Sequence, residues 1–191
     1  MRITGGLAKG IPLKTPTGMK TRPAVDSARE ALFSSIADRV AGVRFVDLFA
    51  GTGAYGLEAW SRGASAGVFV EKDSDCVKYI QDNVLSVAKS GRLDSSSVGI
   101  IRKDVFKWQV TEACSPSLVF ADPPYVLLGK FEDALFQLAG FLLKKDGLFI
   151  LEHPANIEIR QPDWRLLRQL GKKSGSGPSV SIWEPDSIRN E

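Results

Sequence analysis

The sequence predicts one α/β domain whose central, mostly parallel sheet carries helices on both faces. Short, nearly continuous apolar segments alternate with amphipathic segments of helical period between about residues 44 and 153. A glycine-rich loop stands between the first of these strands and the helix after it, as in many parallel sheets. The chain has 191 residues, 43% of them apolar, which is enough for one core of ordinary size.

The elements follow in a regular order along the chain. Residues 1–25 are rich in Gly, Pro and Thr and predict an extended arm or small hairpin, ahead of a main domain over 26–191. A first helix is predicted from about 27 to 40, beginning with a capping box from Ser27 to Glu30. The later predictions are strand 44–49, helix 54–62, strand 66–71, helix 74–89, strands 97–104 and 117–122, helix 129–143, strand 147–153 and an antiparallel edge pair at 164–170 and 178–185.

The positive charge of the chain is unevenly distributed. The net charge is only +3, but the first 25 residues contain five basic residues and no acid. These are Arg2, Lys9, Lys14, Lys20 and Arg22. Such a segment favours a polyanionic partner, and the alternative is a solvated surface that keeps the protein soluble.

Several classes of protein do not fit the composition. The two cysteines lack a CxxC spacing and there is one histidine, so we expect neither a disulfide scaffold nor a metal site. The first residues lack the apolar stretch of a signal peptide, and no run reaches the roughly 18 apolar residues of a membrane span. We expect a soluble, cytoplasmic monomer that does not enter a membrane.

The glycine-rich loop predicts a nucleotide site. Gly51, Gly53 and Gly56 form a GxGxxG pattern between a strand and a helix, where glycine lets a ligand approach the backbone. Glu71 ends the next strand, 20 residues after Gly51, where a carboxylate can accept both hydroxyls of a ribose. Together these features predict a site for adenosine.

A dinucleotide and S-adenosylmethionine both suit this loop geometry, so the loop leaves open which adenosine cofactor binds. Asp47, just before it, would repel a pyrophosphate and suits an amino group and a sulfonium, which favours S-adenosylmethionine over a dinucleotide without deciding between them. Asp104 could accept a hydrogen bond from the adenine amino group, with the Val105 N–H reaching the ring. Asp104 alternatively caps a short helix. The predicted cofactor site consists of Asp47, Phe49, Gly51, Thr52, Gly53, Gly56, Glu71, Lys72, Asp104 and Val105.

A second motif, Asp122-Pro123-Pro124-Tyr125, ends the strand 117–122 at the edge where open α/β sheets bind ligands. Two prolines make the segment stiff and remove two N–H donors, so the Pro123 carbonyl can be aimed into a pocket. Together with the Asp122 carboxylate it offers two acceptors, which complement the exocyclic amine of a nucleobase.

The chemistry that this pattern suits is methylation of that amine. Its lone pair is delocalised into the ring, and two acceptors that pull its hydrogens out of plane return electron density to nitrogen. The protein would then orient an in-line displacement at a sulfonium methyl group. Tyr125 would stack on the flipped base. The alternative is a simple strand terminator covered by a tyrosine.

These segments resemble the RsmD family of bacterial 16S ribosomal RNA guanine-N2 methyltransferases. The similarity covers roughly residues 1–154 and includes "TRPAVDSAREALF", "DLFAGTGAYGLEAWSRGA", "FVEKD" and "ADPPY". It implies a class I, Rossmann-like methyltransferase fold, S-adenosylmethionine as cofactor, and 16S rRNA or the assembled small subunit as partner. It also implies that Asp122, Pro123 and Tyr125 are catalytic and that Arg22 lies near cofactor or RNA. Tyr55 and Trp60 depart from the smaller aliphatic residues that are more usual there.

Other functions are weighed against this one. A DNA adenine-N6 methyltransferase uses the same four-residue motif, but the chain has no room for an added target-recognition segment. A protein glutamine-N5 methyltransferase would begin the motif with Asn. A non-catalytic nucleic-acid-binding module is disfavoured by the intact loop with Glu71 and Asp122, and a NAD-dependent dehydrogenase by the lack of a general acid other than His153.

Overall fold

The computed structural model describes residues 1–16, 23–109, 115–171 and 177–186 of the chain. Its α-helices are α1 (Pro23–Ser35), α2 (Ala54–Ser61), α3 (Ser74–Gly91) and α4 (Tyr125–Leu142). Its strands are β1 (Arg44–Leu48), β2 (Ala66–Glu71), β3 (Val98–Arg102), β4 (Leu118–Ala121), β5 (Leu148–Pro154), β6 (Trp164–Gly171) and β7 (Pro178–Pro185).

The seven strands form one sheet in the order β3-β2-β1-β4-β5-β7-β6. Strands β1 to β5 are parallel, whereas β7 is antiparallel to both β5 and β6. The predicted parallel sheet with an antiparallel edge pair is therefore confirmed. The chain leaves β1 toward β2 and β3 and then returns to place β4 on the other side of β1, and such a reversal opens a crevice at the carboxyl ends of the strands.

Side chains that alternate along the strands form two apolar cores, one on each face of the sheet. Phe45, Phe69 and Phe120 point to the face covered by α1, α2 and α3. Val119 and Phe149 point to the other face, which α4 covers. Strands β1, β2, β4 and β5 thus contribute to both cores, which explains why their sequences are almost continuously apolar.

Two helices begin earlier than the sequence predicts. The first helix starts at Pro23, so Ser27 lies inside it and the predicted capping box is wrong. Proline is favourable at the first helical position because its φ is already suitable and its missing N–H is not needed there. Helix α4 starts at Tyr125 rather than at residue 129, and its backbone is kinked at Phe131 (φ −128°, ψ 16°).

The first residues of the chain form a small hairpin that packs against α2. Ile3 donates its N–H to Ile11, and Leu13 donates to the carbonyl of Met1. At the tip, the Leu7 N–H donates a hydrogen bond to the Ser61 carbonyl at the end of α2 (2.7 Å). The hairpin is therefore an integral part of the apolar core, to which its side chains Ile3, Ala8 and Leu13 belong.

The buried carboxylate of Glu58 on α2 fastens this hairpin. It accepts hydrogen bonds from the Thr4 N–H (2.8 Å) and hydroxyl (2.7 Å). Two guanidinium groups, those of Arg29 and Arg62, form ion pairs with it at 3.3 and 2.8 Å. Because all of its neighbours donate, the charge of Glu58 is compensated inside the protein.

Asn83 on α3 connects the hairpin to the glycine loop. It is fully buried. Its Oδ1 accepts the Lys14 N–H (2.7 Å), and its Nδ2 donates to the carbonyls of Lys14 (3.1 Å) and Thr52 (3.0 Å). The open end of the hairpin thus lies beside the loop, while its tip lies about one α2 length, roughly 12 Å, away.

Helices long and apolar enough to cross a membrane are absent from the described part of the chain.

Candidate active site

A cleft of about 390 Å³ opens at the carboxyl ends of β1 to β4. This size lies within the usual range of small-molecule sites. Its lining residues are Phe49, Glu71, Lys72, Lys103, Asp104, Val105, Phe106, Asp122, Pro123, Pro124, Tyr125 and Leu127. The cleft therefore brings both predicted motifs, the acid after β2 and the Asp-Pro-Pro-Tyr segment after β4, to one place.

The glycine loop between β1 and α2 needs glycine at specific positions. Gly51 (φ 55°) and Gly53 (φ 79°) have left-handed backbones that residues with a Cβ seldom adopt. A Cβ on Gly56 would lie 2.4 Å from the ring of Phe69 and 2.5 Å from that of Phe45. The loop is thus shaped by left-handed turns at its start and by close helix–sheet packing at its end.

Glu71 holds this loop from the neighbouring strand. Its Oε2 accepts the Gly51 N–H (2.8 Å) and its Oε1 accepts the Asp73 N–H (2.9 Å). A carboxylate has about four acceptor positions, so two bonds to the backbone fix its orientation and leave capacity for a ligand. The side chain is preorganised at the cleft wall.

Asp47 lies beneath the loop rather than in the cleft lining. It is 1% exposed, and its Oδ2 accepts the Gly56 N–H (2.9 Å). Burial raises its pKa to about 8; the bond from Gly56 lowers the pKa and the charge of Glu71 raises it further. Its predicted contact with the cofactor stays a prediction.

Aromatic rings and Asp104 form another part of the cleft lining. Phe49 has a left-handed backbone (φ 54°), which is rare for a bulky residue and typical of functional sites. Its ring packs edge-on against Phe106 at 5.8 Å. The Asp104 Oδ1 accepts the Phe106 N–H (3.0 Å) and caps the turn Val105–Lys107, so Asp104 both caps this turn and lines the cleft.

The Asp122 segment forms the floor of the cleft. The Asp122 N–H donates to the Leu48 carbonyl (3.4 Å), which ties the segment to β1 across the crevice. The Pro124 carbonyl accepts a hydrogen bond from the Leu127 N–H (2.8 Å) at the start of α4, whose first residue is Tyr125. Pro123 is buried, and Tyr125 is 39% exposed.

The Asp122 carboxyl group has a pKa well above its usual range. Partial desolvation by the surrounding protein is the main cause, and the negative charges of Glu152 and Asp47 act in the same direction. The side chain nevertheless keeps an exposed face toward the cleft. Water reaches that face when the cleft is open, so we expect the shift in pKa to grow when a bound base displaces the water.

Two further polar residues stand beside Asp122. The Tyr55 hydroxyl donates to Oε2 of Glu152 at 2.5 Å, and Tyr125 also hydrogen-bonds this carboxylate. Burial raises the pKa of Glu152, and the bonds from the tyrosines and the charge of Arg29 lower it in part. Glu152 was not predicted as a site residue. Its place near the carboxyl end of β5, the strand next to the one that Asp122 follows, is the sequence feature that could have indicated it.

The other predicted residues lie in different places. Gly51, Thr52 and Gly53 of the loop, and Gly56 in the first turn of α2, are not among the lining residues. Arg2, Lys9 and Lys14 are exposed on the hairpin, and Lys14 pairs with Asp82 of α3 at 2.8 Å. Lys20 and Arg22 lie outside the described residues.

His153 is a buried residue of β5 rather than a residue of the cleft lining. Its Nδ1 lies 2.9 Å from the Pro154 carbonyl oxygen, and burial lowers its pKa. Within residues 1–16, 23–109, 115–171 and 177–186, no cluster of His, Cys, Asp and Glu side chains could hold a metal ion.

The strand order and the cleft at its switch point define a class I, Rossmann-like methyltransferase fold. The family described as "Conserved hypothetical protein 95" matches residues 1–179. The chain belongs to this family, which is the RsmD family that the sequence resembles.

Curated relatives agree with this assignment. The YlbH protein of Bacillus subtilis (strain 168), whose name provisionally assigns it to the rRNA methyltransferases, is 30% identical over 163 residues, 83% of this chain and 85% of that protein. The ribosomal RNA small subunit methyltransferase D of Escherichia coli (strain K12) is 31% identical over 125 residues, 65% of this chain and 60% of that protein.

Solved structures share the fold. The yhhF protein of Escherichia coli, provisionally described as a methyltransferase, superposes with a TM-score of 0.78 at 24% identity and covers 98% of each chain. The protein SMU.776, whose structure contains S-adenosylhomocysteine, superposes with a TM-score of 0.66 at 18% identity over 82% of this chain and 49% of that one.

Proposed function

We propose that the protein transfers a methyl group from S-adenosylmethionine to the exocyclic N2 amine of a guanine in 16S ribosomal RNA. The observation that carries the proposal is that one cleft contains both the acids suited to an adenosine and the Asp122-Pro123 acceptor pair suited to an amine. The names of the relatives support ribosomal RNA of the small subunit as the substrate.

The cleft fits S-adenosylmethionine. The left-handed glycines leave the loop backbone open to a ligand, Glu71 is oriented to accept ribose hydroxyls, and Asp104 stands where it can accept an adenine amino group. The cofactor would supply an activated methyl group on a cationic sulfur. Carboxylates around the cleft would favour that charge in the bound state.

The Asp122 segment would prepare the amine. The Pro124 carbonyl already accepts a hydrogen bond from Leu127 in α4. The Pro123 carbonyl would therefore be the one that accepts from the base, beside the Asp122 carboxylate. Two acceptors hold the amine hydrogens and direct the nitrogen lone pair toward the methyl carbon. When nitrogen gains the methyl group it must release one proton, and a carboxylate with a raised pKa is a suitable acceptor.

The partner would be an RNA segment that presents an unstacked guanine, in free 16S rRNA or in the assembled small subunit. Tyr125 is exposed at the mouth of the cleft and can stack on such a base. The basic hairpin residues Arg2, Lys9 and Lys14, with Lys20 and Arg22, would contact phosphates.

Methyl transfer from labelled S-adenosylmethionine tests this function. The acceptors would be small-subunit particles, 16S RNA and duplex DNA, and the enzymes would be wild type, Asp122→Asn and the control Asp75→Asn, which changes an exposed carboxylate on α3. We expect N2-methylguanine in RNA with wild type and the control, and a loss of about 100-fold or more with Asp122→Asn. N6-methyladenine in DNA would overturn the RNA assignment while keeping the amine chemistry.

A further inference from the structure

The Asp122-Pro123 acceptor pair cannot by itself choose a base. Guanine, adenine and cytosine all carry an exocyclic amine with two hydrogens, and two acceptors fit each of them. The bases differ at the ring nitrogen next to that amine. Guanine has a donor, N1–H, on one side of its amine and a lone pair, N3, on the other, whereas the ring nitrogen next to the amine of adenine or cytosine has only a lone pair. A second side chain that reads this position would give the site its selectivity.

Glu152 is placed to make that contact. Ala121 of β4 and Leu151 of β5 are partners in the parallel register, so Asp122 and Glu152 follow as the next residues of adjacent strands. This register places the two carboxyl groups side by side at one edge of the sheet, and the charge of Glu152 accordingly raises the pKa of Asp122. Glu152 is partly exposed and adjoins Asp122 and Tyr125 of the cleft lining, although it is not itself a lining residue.

The Glu152 carboxylate is held in a fixed orientation. Tyr55 donates to it at 2.5 Å, and the Tyr55 ring is itself stacked on Phe120 with a centroid distance of 5.8 Å and an interplanar angle of 14°. Tyr125, the residue proposed to stack on the base, bonds the same carboxylate. The Glu152 carboxylate is therefore oriented by Tyr55 of α2 and hydrogen-bonded to Tyr125 of α4, the residue proposed to stack on the base.

Packing alone gives no reason for an acid at this position. Placing two carboxyl groups side by side in a partly buried site is unfavourable for both of them. Glu58, by contrast, forms direct ion pairs with two guanidinium groups, whereas the tyrosines and the charge of Arg29 compensate Glu152 only in part. An unfavourable acid pair beside a ligand cleft is typical of a functional site.

We propose that Glu152 is the residue that selects guanine, its carboxylate accepting the ring N1–H while Asp122 and the Pro123 carbonyl accept the adjacent amine. Adenine or cytosine would turn a lone pair toward the same carboxylate and be repelled. This inference rests on the proposed function and names the group that sets its base specificity.

The test uses an RNA in which the methylated guanine, once located, is replaced by 2-aminopurine, which keeps the 2-amine but has a lone pair at N1. The enzymes are wild type, Glu152→Gln, Tyr55→Phe and the control Glu158→Gln, which changes an exposed acid beyond the same strand. Both RNAs are compared by kcat/KM, and S-adenosylmethionine affinity and thermal unfolding are measured for each variant.

We expect wild type and Glu158→Gln to prefer the guanine RNA by roughly 10- to 100-fold, the factor for one hydrogen bond to a charged group. Glu152→Gln should lose most of that preference, because its amide can also donate to the N1 lone pair of 2-aminopurine. Tyr55→Phe should lose part of it, since the carboxylate is then less fixed. Cofactor affinity should not change.

Two contrary results have different meanings. If Glu152→Gln lowers kcat/KM equally on both RNAs, or leaves the preference unchanged, Glu152 does not select the base and this inference alone is overturned. If wild type methylates no guanine in any RNA acceptor, the proposed function itself fails, and that result appears before the 2-aminopurine arm is begun.

Discussion

The Asp47 carboxyl group illustrates how a single buried acid can affect both the site and the stability of the fold. It lies beneath the glycine loop and accepts the Gly56 N–H at 2.9 Å, so it positions the start of α2. Its surroundings offer little compensation for a negative charge, because burial is the largest influence on its pKa and Glu71 adds a like charge. The protonated form is therefore favoured in the folded protein.

Asp47 should make the protein less stable as the pH rises. Its pKa is about 8 in the folded chain and 3.8 in the unfolded chain, so between these values only the folded state keeps the proton. The free energy of unfolding should then fall with pH by up to about 1.4 kcal/mol per unit from this group. Asp47→Asn, which keeps an acceptor for Gly56, should flatten the curve of unfolding free energy between pH 5 and 8, measured by urea denaturation.

A steeper or unchanged curve for Asp47→Asn would show that the carboxyl ionises normally in the folded state. Asp75→Asn is the matched control because its carboxylate is exposed on α3.

At the residue scale, the sequence predicted the acids that stand at the ends of recognisable motifs. Glu71 and Asp122 line the cleft, as expected, because Glu71 ends the strand that follows the glycine loop and Asp122 is a strand end followed by two prolines. Glu152 was not predicted as a site residue because its relevance comes from partners on α2 and α4 that are remote in the chain. Contacts of that kind have no local pattern.

At the scale of elements, the N-terminal hairpin and the glycine loop are joined by one amide side chain. Asn83 binds both backbone groups of Lys14 and the carbonyl of Thr52 from the interior of the protein. A movement of the hairpin should therefore change the position of the loop.

Asn83→Ala should lower the free energy of unfolding by roughly 1–3 kcal/mol, because it leaves buried backbone groups without partners. It should also weaken the binding of S-adenosylmethionine, since the loop is no longer held at Thr52. The neighbouring change Asp82→Ala removes only the exposed pair with Lys14 and should alter stability by less than about 0.5 kcal/mol. Chemical denaturation and calorimetric titration measure both effects, and equal changes in the two variants would contradict this role for Asn83.

Helix starts were the least predictable part of the fold. Apolar periodicity located α2 and α3 well. By contrast, α1 starts at Pro23 itself, and α4 starts at Tyr125, directly after Pro124. There the backbone constraint of proline decides the boundary rather than the spacing of apolar residues. The sheet edge was easier, because β7 has the bounds 178–185 that its sequence indicates.

At the scale of the whole molecule, the basic residues of the hairpin lie outside the cleft lining, which contains carboxylates together with Lys72 and Lys103. Lys14 is at the end of the hairpin near the glycine loop, and Lys9 is near the tip, by the end of α2. Under the proposed function, RNA contact and cofactor contact would therefore fall to different groups.

Charge reversal at Lys9 and Lys14 should therefore weaken RNA binding and leave the affinity for S-adenosylmethionine unchanged. The slope of log K against log salt should become shallower by roughly 1 for each phosphate contact that is lost. Lys145→Glu, at the amino end of β5 and away from the cleft, is the control with the same change of charge. Filter binding over a series of salt concentrations gives the slope, and an equal loss of RNA and cofactor affinity would contradict the separate roles.

The position of β7 between β5 and β6 has a consequence for how the protein is made. Translation delivers β6 before the strand that joins it to the sheet, so β6 has no partner until residues 178–185 have left the ribosome. Until then β5, which carries Glu152, also has an open edge that can pair with other nascent chains. A ribosome that pauses between β6 and β7 would therefore hold a chain in which every residue that lines the cleft has been made, although the sheet that supports them is unfinished.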